Sequence, residues 1–393
     1  MNADLINFEL WFVDSDNRIQ SDIDRATVYY ALKDIKESIE SRGIDTVVGM
    51  LFMDGFLHRD REEFYDVLKQ IVTGAKQLGI KKLYMIVGTC HGYQKELDVR
   101  NIDIEIIDWN FGANHAYYSY KPVWDQINAW NSNADKFMFL TGVPSRPNRI
   151  GVIKSLYENG LLQQHGIWSF FPPWTDDDKL WCRTYCNDYT DEQYNNFLSD
   201  CNNAIDYRYK EAKDYCKVNG KELKERGLFY SDFVETSAHV DPKLFTESLL
   251  SVVSEGPIDG DQYDFFTEKL WRTIINNQPF ILVEPASRIK YAKSLGLKTF
   301  EEYTNYKITS DMTEQERIAL VSQSVEYFFN NYKRNIEKIN NDIKHNKKVL
   351  LDLNAKTENL ISWLSAMSID DESITKYLRT SKSSVYVRFP KGV

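Results

Sequence analysis

With 393 residues, 42% of them hydrophobic and 14% aromatic, the chain is long enough for two domains with packed cores, since domains cluster at roughly 100 to 200 residues. No stretch approaches the roughly 18 uninterrupted apolar residues of a membrane span. The short run 8–13 closes at once on Asp14 and Asp16 with no basic leader before it, so the expectation is a cytoplasmic protein without a signal peptide. The formal net charge of -10 opposes nonspecific attraction to polyanions and leaves nucleic-acid binding to the local field along a groove. The five cysteines, Cys90, Cys182, Cys186, Cys201 and Cys216, are odd in number and contain no Cys-x-x-Cys pair, so they read as free thiols.

Apolar runs open the chain at 8–14, 46–54, 82–88 and 102–109, and between the second and third lie Phe64, Val67, Leu68, Ile71 and Ala75 at spacings of three and four. That alternation predicts parallel strands joined by crossover helices, the α/β class. The pattern restarts with a strand over 136–141, a break at Gly142-Val143-Pro144, and a helix over 147–159 that Gly160 ends. Residues 175–219 are polar, with helical turns expected near 194–209. Two further strand–helix units follow: an apolar run at 249–253, a Gly/Pro/Asp loop, a helix over 267–276, a strand over 279–283 and a helix over 288–295. After Asp311 the residues Ile318, Val321, Val325, Phe328, Tyr332, Ile336, Ile339 and Ile343 predict a helix longer than 25 residues. Its apolar stripe suits either a coiled-coil dimer seam or packing across both domains.

The chemistry concentrates in residues 251–300. Thr267 is a natural helix N-cap with Glu268 and Lys269 in the first turn, and a helix start after a strand offers free N–H groups and partial positive charge to an anion. Lys269 would add a point charge for phosphate, and Glu268 could accept hydrogen bonds from ribose hydroxyls. The same pair also makes good helix-start chemistry with no ligand, because acids favour any first turn. Arg146 and Arg149 stand between a strand and a helix, where a guanidinium fork suits phosphate, although a first turn also carries surface charge. Glu255 closes the run 249–253, at the strand end where open α/β sheets bind ligands; there it orients a sugar hydroxyl or caps a loop.

The run TEKLWRTIINNQPFILVEPA resembles the Thr-Glu-Lys signature of fucosyltransferase-like glycosyltransferases, and more closely glycosyltransferases encoded by large tailed phages. The likeness extends over about fifty residues and again over FLTGVPSRPNRIGVIKSLYENGLL. It implies a fold of two facing Rossmann-like domains (GT-B type) with C-terminal helices packing across the cleft. The implied divisions are an acceptor domain at 1–130, a donor domain at 131–310, and long helices with a basic tail at 311–393. It implies a hexosyl- or pentosyltransferase whose Glu268 holds the donor ribose, with Lys269 and Arg146 or Arg149 on the diphosphate. Glu284-Pro285 departs from the small residues of the fucosyltransferase pattern, which leaves the sugar open.

The nucleotide sugar would be a co-substrate, and neither a cofactor nor a metal is expected. Asp259-Gly260-Asp261 and Asp176-Asp177-Asp178 are the tempting acid clusters, but neither directly follows a strand. Transfer would then rely on basic residues and a helix N-terminus to stabilise the departing diphosphate. Asp14 and Asp54, each closing an apolar run, are the candidate catalytic bases, with Asp108 in a similar place; His91, His115 and His239 are loop histidines that serve as bases or pack. The phage resemblance implies double-stranded DNA bearing a 5-hydroxymethylated pyrimidine such as modified cytosine as acceptor. Lys376, Arg379, Lys382 and Arg388, interleaved with aromatic residues in a tail without acids, would contact it, unless the tail is simply solvated. A glycan or protein acceptor, and a noncatalytic nucleotide-binding or structural protein, are the other readings. No GxxxxGK[ST], HExxH, GxSxG or GxGxxG constellation occurs.

Overall fold

The computed structural model describes residues 3–7, 20–51, 62–87, 93–121, 124, 127–140, 147–169, 176–202, 240, 242–255, 266–369, 375 and 378. The chain divides into two compact units, one from described residues of 1–114 and 353–393, the other from those of 115–262 and 266–352. Each is built on a four-stranded parallel sheet, so the α/β class is as expected.

In the first unit the strands β1 (Ala3–Asn7), β2 (Thr46–Leu51), β3 (Lys82–Val87) and β4 (Glu105–Asp108) lie side by side in chain order. Parallel neighbours need crossovers, and α1 (Gln20–Arg42), α2 (Glu62–Gln77) and α3 (Tyr93–Val99) supply them. The period of two sorts the strand side chains. Val47, Leu83, Met85 and Val87 join Ile35 of α1, Leu68 and Ile71 of α2 and Leu97 of α3 in one core, while Val48 and Ile86 join Leu360, Leu364 and Met367 in another. The sheet is therefore covered on both faces, as its apolar strands require.

The first expected run, 8–14, lies outside the described residues. The strand described ahead of it, which the apolar runs do not predict, is ADLIN at Ala3–Asn7, paired residue for residue with β2 from Ala3 opposite Thr46 to Asn7 opposite Met50. Backbone pairing defines it, and two polar residues in five hide it from a search for apolar continuity.

In the second unit the order is β6-β5-β7-β8, all parallel: β5 (Phe137–Leu140), β6 (Gly166–Ser169), β7 (Leu250–Val253) and β8 (Phe280–Leu282). From β5 the chain passes through α5 (Pro147–Glu158) and α6 (Leu161–His165) to β6 on one side. After α7 (Asp176–Tyr185), α8 (Asp191–Asn202) and α9 (Pro242–Thr246) it returns as β7 on the other side of β5. The winding direction thus reverses between β5 and β7, and the C-terminal edge at such a reversal is where open α/β sheets take ligands. From β7 the chain continues through α10 (Glu268–Ile275), β8, α11 (Ala286–Ser294) and α12 (Glu301–Thr304).

The apolar repeat after 311 is two helices, α13 (Glu314–Asn331) and α14 (Ile336–Ala366), joined by a 3-10 turn at Tyr332–Asn335. A capping box starts α13, with Thr313 and Glu316 satisfying each other's backbone N–H. Its stripe is core: Val321, Val325 and Phe328 are fully buried, and Ser322 bonds Ser155 of α5. Gly151 permits this approach, since a Cβ there would stand 2.7 Å from Cδ1 of Ile318. The stripe is consumed within the unit, which corrects the option of a coiled-coil seam.

The unit division lies within helices. It falls at 114/115, inside helix α4 (Phe111–Tyr120), and again at 352/353, inside α14. Continuous helices cross both points, so no change of composition marks them.

Candidate functional site

The start of α5 and the residues that close β7 meet at the reversal point. Arg149, in the first turn of α5, is buried and donates from a terminal guanidinium nitrogen to the backbone carbonyl of Glu255 at 3.2 Å. Asn148 beside it donates its side-chain amide to Ser254 Oγ at 3.0 Å. The strand order alone explains why residues 106 positions apart touch.

Glu255 is 1% exposed and its two oxygens are both used. One accepts the N–H of Leu270 at 3.1 Å and the other accepts the hydroxyl of Thr267. Thr267 is the N-cap of α10, in extended backbone, and its Oγ1 accepts the N–H of Lys269 at 3.4 Å. Of the two roles the sequence leaves open for Glu255, the geometry displays capping: its carboxylate sits on the positive end of α10 as an internal anion.

Glu255 is held in turn. Its N–H donates to Glu284 Oε1 at 2.8 Å, and Arg288 donates to Glu284 Oε2 at 2.5 Å, with both side chains of that ion pair 3% exposed or less. Burial pushes the Glu284 carboxyl up, Arg288 opposes this, and the neighbouring Glu255 anion adds to the rise.

Glu268 and Lys269 follow the cap. Lys269 Nζ donates to Glu268 Oε1 at 3.0 Å and to Thr267 Oγ1 at 3.1 Å, and both side chains are largely withdrawn from solvent. Burial by itself would raise the Glu268 carboxyl, but Lys269, Arg272 and His115 outweigh it and bring it down to about 2. Arg272, one turn on and 5% exposed, reaches back to the carbonyl of Leu140 at the end of β5. Four cations and three carboxylates are thus gathered around the reversal point, with His115 beside Glu268. Charged side chains are seldom buried unless paired or serving a ligand.

No family model and no curated protein matches the sequence. Among solved structures, an alpha,alpha-trehalose-phosphate synthase (UDP-forming) from Burkholderia vietnamiensis is similar at 10% sequence identity and a TM-score of 0.35, over 88% of this chain and 82% of that one.

Of the residues singled out from sequence, the structure brings together Arg149, Glu255, Thr267, Glu268 and Lys269. Arg146, Asp14 and Asp54 lie outside the described residues, as do Lys376, Arg379, Lys382 and Arg388, His91, His239 and the stretch Asp259–Asp261. Asp176 opens helix α7, which accounts for acids at that point through first-turn preference. Arg272, Glu284 and Arg288 also belong to the site, although no sequence motif marks them. Glu284 carried the signal used for Glu255, a carboxylate closing an apolar run, and Arg288 and Arg272 stand four residues after Glu284 and Glu268. Among the described residues no helix is long and apolar enough to cross a membrane.

Proposed function

We propose that this chain is a glycosyltransferase that moves a sugar from a nucleotide-sugar donor to an acceptor hydroxyl. The observation that carries the reading is Glu268, a withdrawn carboxylate kept ionised by Lys269, Arg272 and His115 beside the reversal point of a parallel sheet. An ionised acid there suits the two hydroxyls of a ribose, and adjacent cations suit a diphosphate. The resemblance of the Thr-Glu-Lys segment supports the same assignment, with Glu268 on ribose and Arg149 and Lys269 on the diphosphate as charge develops on departure. For the acceptor, the phage resemblance and the basic, aromatic tail support duplex DNA carrying a 5-hydroxymethylated pyrimidine.

The test is thermal stabilisation of the full chain by a panel of nucleoside diphosphates and nucleotide sugars. A ligand that binds only the folded state adds about 2.7 kcal/mol at 100 times its dissociation constant. One nucleotide should raise Tm selectively and Glu268→Ala should remove the rise while the variant remains folded. A panel with no effect up to millimolar concentration overturns the function, and an unchanged response in the variant overturns the site.

A further inference from the structure

Several exposed lysines of the described residues meet acids. On α1, Lys33 faces Glu37 and Lys36 faces Glu40, one turn apart; Lys76, Lys81, Lys243 and Lys293 likewise meet acids. Others, such as Lys69, Lys82 and Lys136, form no ion pair among the described residues, and the turn Tyr332–Asn335 with the first half of α14 gathers several such cations on one helix. Lys333, Arg334, Lys338, Lys344 and Lys348 are all exposed, and among the described residues none of the five forms an ion pair. Between 333 and 348 the only exposed acid is Glu337; the other acid of this segment, Asp342, is half-buried and accepts the hydroxyl of Tyr303 at 2.9 Å.

The helix that displays them is firmly seated. Ile339, Ile343 and Leu350 are buried beneath it, and the Asn346 side chain bonds both the N–H and the carbonyl of Lys298, at 2.7 and 2.8 Å. His345 bonds the carbonyl of Gly296 at 2.8 Å. The cations therefore stand in a fixed row roughly 22 Å long at 1.5 Å per residue. Unpaired like charges in such a row repel one another, so their field favours a polyanion in spite of the net charge of -10.

We propose that this outward face docks the phosphate backbone of double-stranded nucleic acid. The charge complementarity is direct, because a duplex presents one negative charge per roughly 1.7 Å of its axis. A membrane surface fits less well. A helix lying in a lipid interface inserts an apolar face, and here that face is turned into the protein. The inference stands on α14 and needs neither the donor site nor the C-terminal tail.

The experiment is fluorescence anisotropy of a 30-base-pair duplex of arbitrary sequence with the full chain between 50 and 200 mM salt. Each phosphate contact contributes about 0.9 to the slope of log affinity against log salt. The variant Lys338→Ala, Lys344→Ala, Lys348→Ala should therefore have a slope shallower by about 2.7. Over that fourfold salt range the wild type then loses about 40-fold more affinity than the variant does. The variant Lys33→Ala, Lys36→Ala, Lys69→Ala removes the same charge from elsewhere and should keep the wild-type slope. Absence of duplex binding at 50 mM salt, equal slopes in the two variants, or binding that phosphatidylserine vesicles capture in preference to duplex would each overturn the proposal. Nucleotide stabilisation measured on the same preparations should be identical in all three proteins, so the donor reading and this one can fail separately.

Discussion

The ionised state of Glu268 has a measurable cost in acid. Its carboxyl is brought from an ordinary 4.5 to about 2 by Lys269, Arg272 and His115, against the opposing effect of burial. A depressed acid contributes stability that is complete above its unfolded pKa and is lost as pH falls through the folded one, so the window runs from above 4.5 down to about 2. At about 1.4 kcal/mol per unit the full contribution is roughly 3 kcal/mol, of which about 2 should be gone by pH 3. The perturbation is Glu268→Gln, which keeps shape and removes the charge. Urea denaturation followed by circular dichroism, on wild type and variant between pH 3 and 7, gives the difference directly. The wild type should exceed the variant by roughly 3 kcal/mol at pH 7 and by about 1 at pH 3. A difference that stays constant across this range would refute the argument that the surrounding cations hold the carboxylate.

Arg288→Met should cost about 3 to 5 kcal/mol, because it leaves Glu284 buried without its counter-charge. Adding Glu284→Gln should recover most of that loss, since the glutamine oxygen can still accept the N–H of Glu255; a double variant as unstable as the single one sinks this account. Thr267→Ala should cost about 1 to 2 kcal/mol in thermal denaturation through loss of the cap, and a loss below about 0.5 would show that Glu255 alone secures the start of α10.

What the sequence displays is what periodicity and apolar runs encode. The strands β3, β7 and β8 and the helices α2, α5 and α10 fall within a few residues of their expected spans, because each is an apolar run or a stripe bounded by turn residues. β6 is four residues, with only Ile167 and Ser169 turned inward, so neither length nor alternation announces it. The turn at Tyr332–Asn335 is hidden for the opposite reason: Tyr332 remains buried and keeps the apolar spacing intact through a break in the helix. Strand order was not legible at all, and with it went the contact of Arg149 with Glu255. In the site, Glu268, Lys269 and Thr267 were legible as a local cap-and-first-turn pattern. Glu284 and Arg288 were not taken up, since their significance lies in what the loop after β7 brings to them.

The position of Glu255 changes how a donor diphosphate would be met on the proposed reading. Sequence reasoning treats the start of α10 as a set of vacant backbone donors. In the structure the N–H of Leu270 and the hydroxyl of Thr267 already serve the Glu255 carboxylate, which is fixed from behind by Glu284 and Arg288. An anion placed there would lie against a buried carboxylate, and like charges in a poorly solvated site repel strongly. The diphosphate is therefore better served by side chains flanking that cap, Arg149 on the β5 side and Lys269 on the first turn, than by the amides of α10 itself. Affinity for nucleotides should accordingly respond more to removal of Arg149 or Lys269 than to removal of the cap, whereas stability should follow the cap and the ion pair behind it.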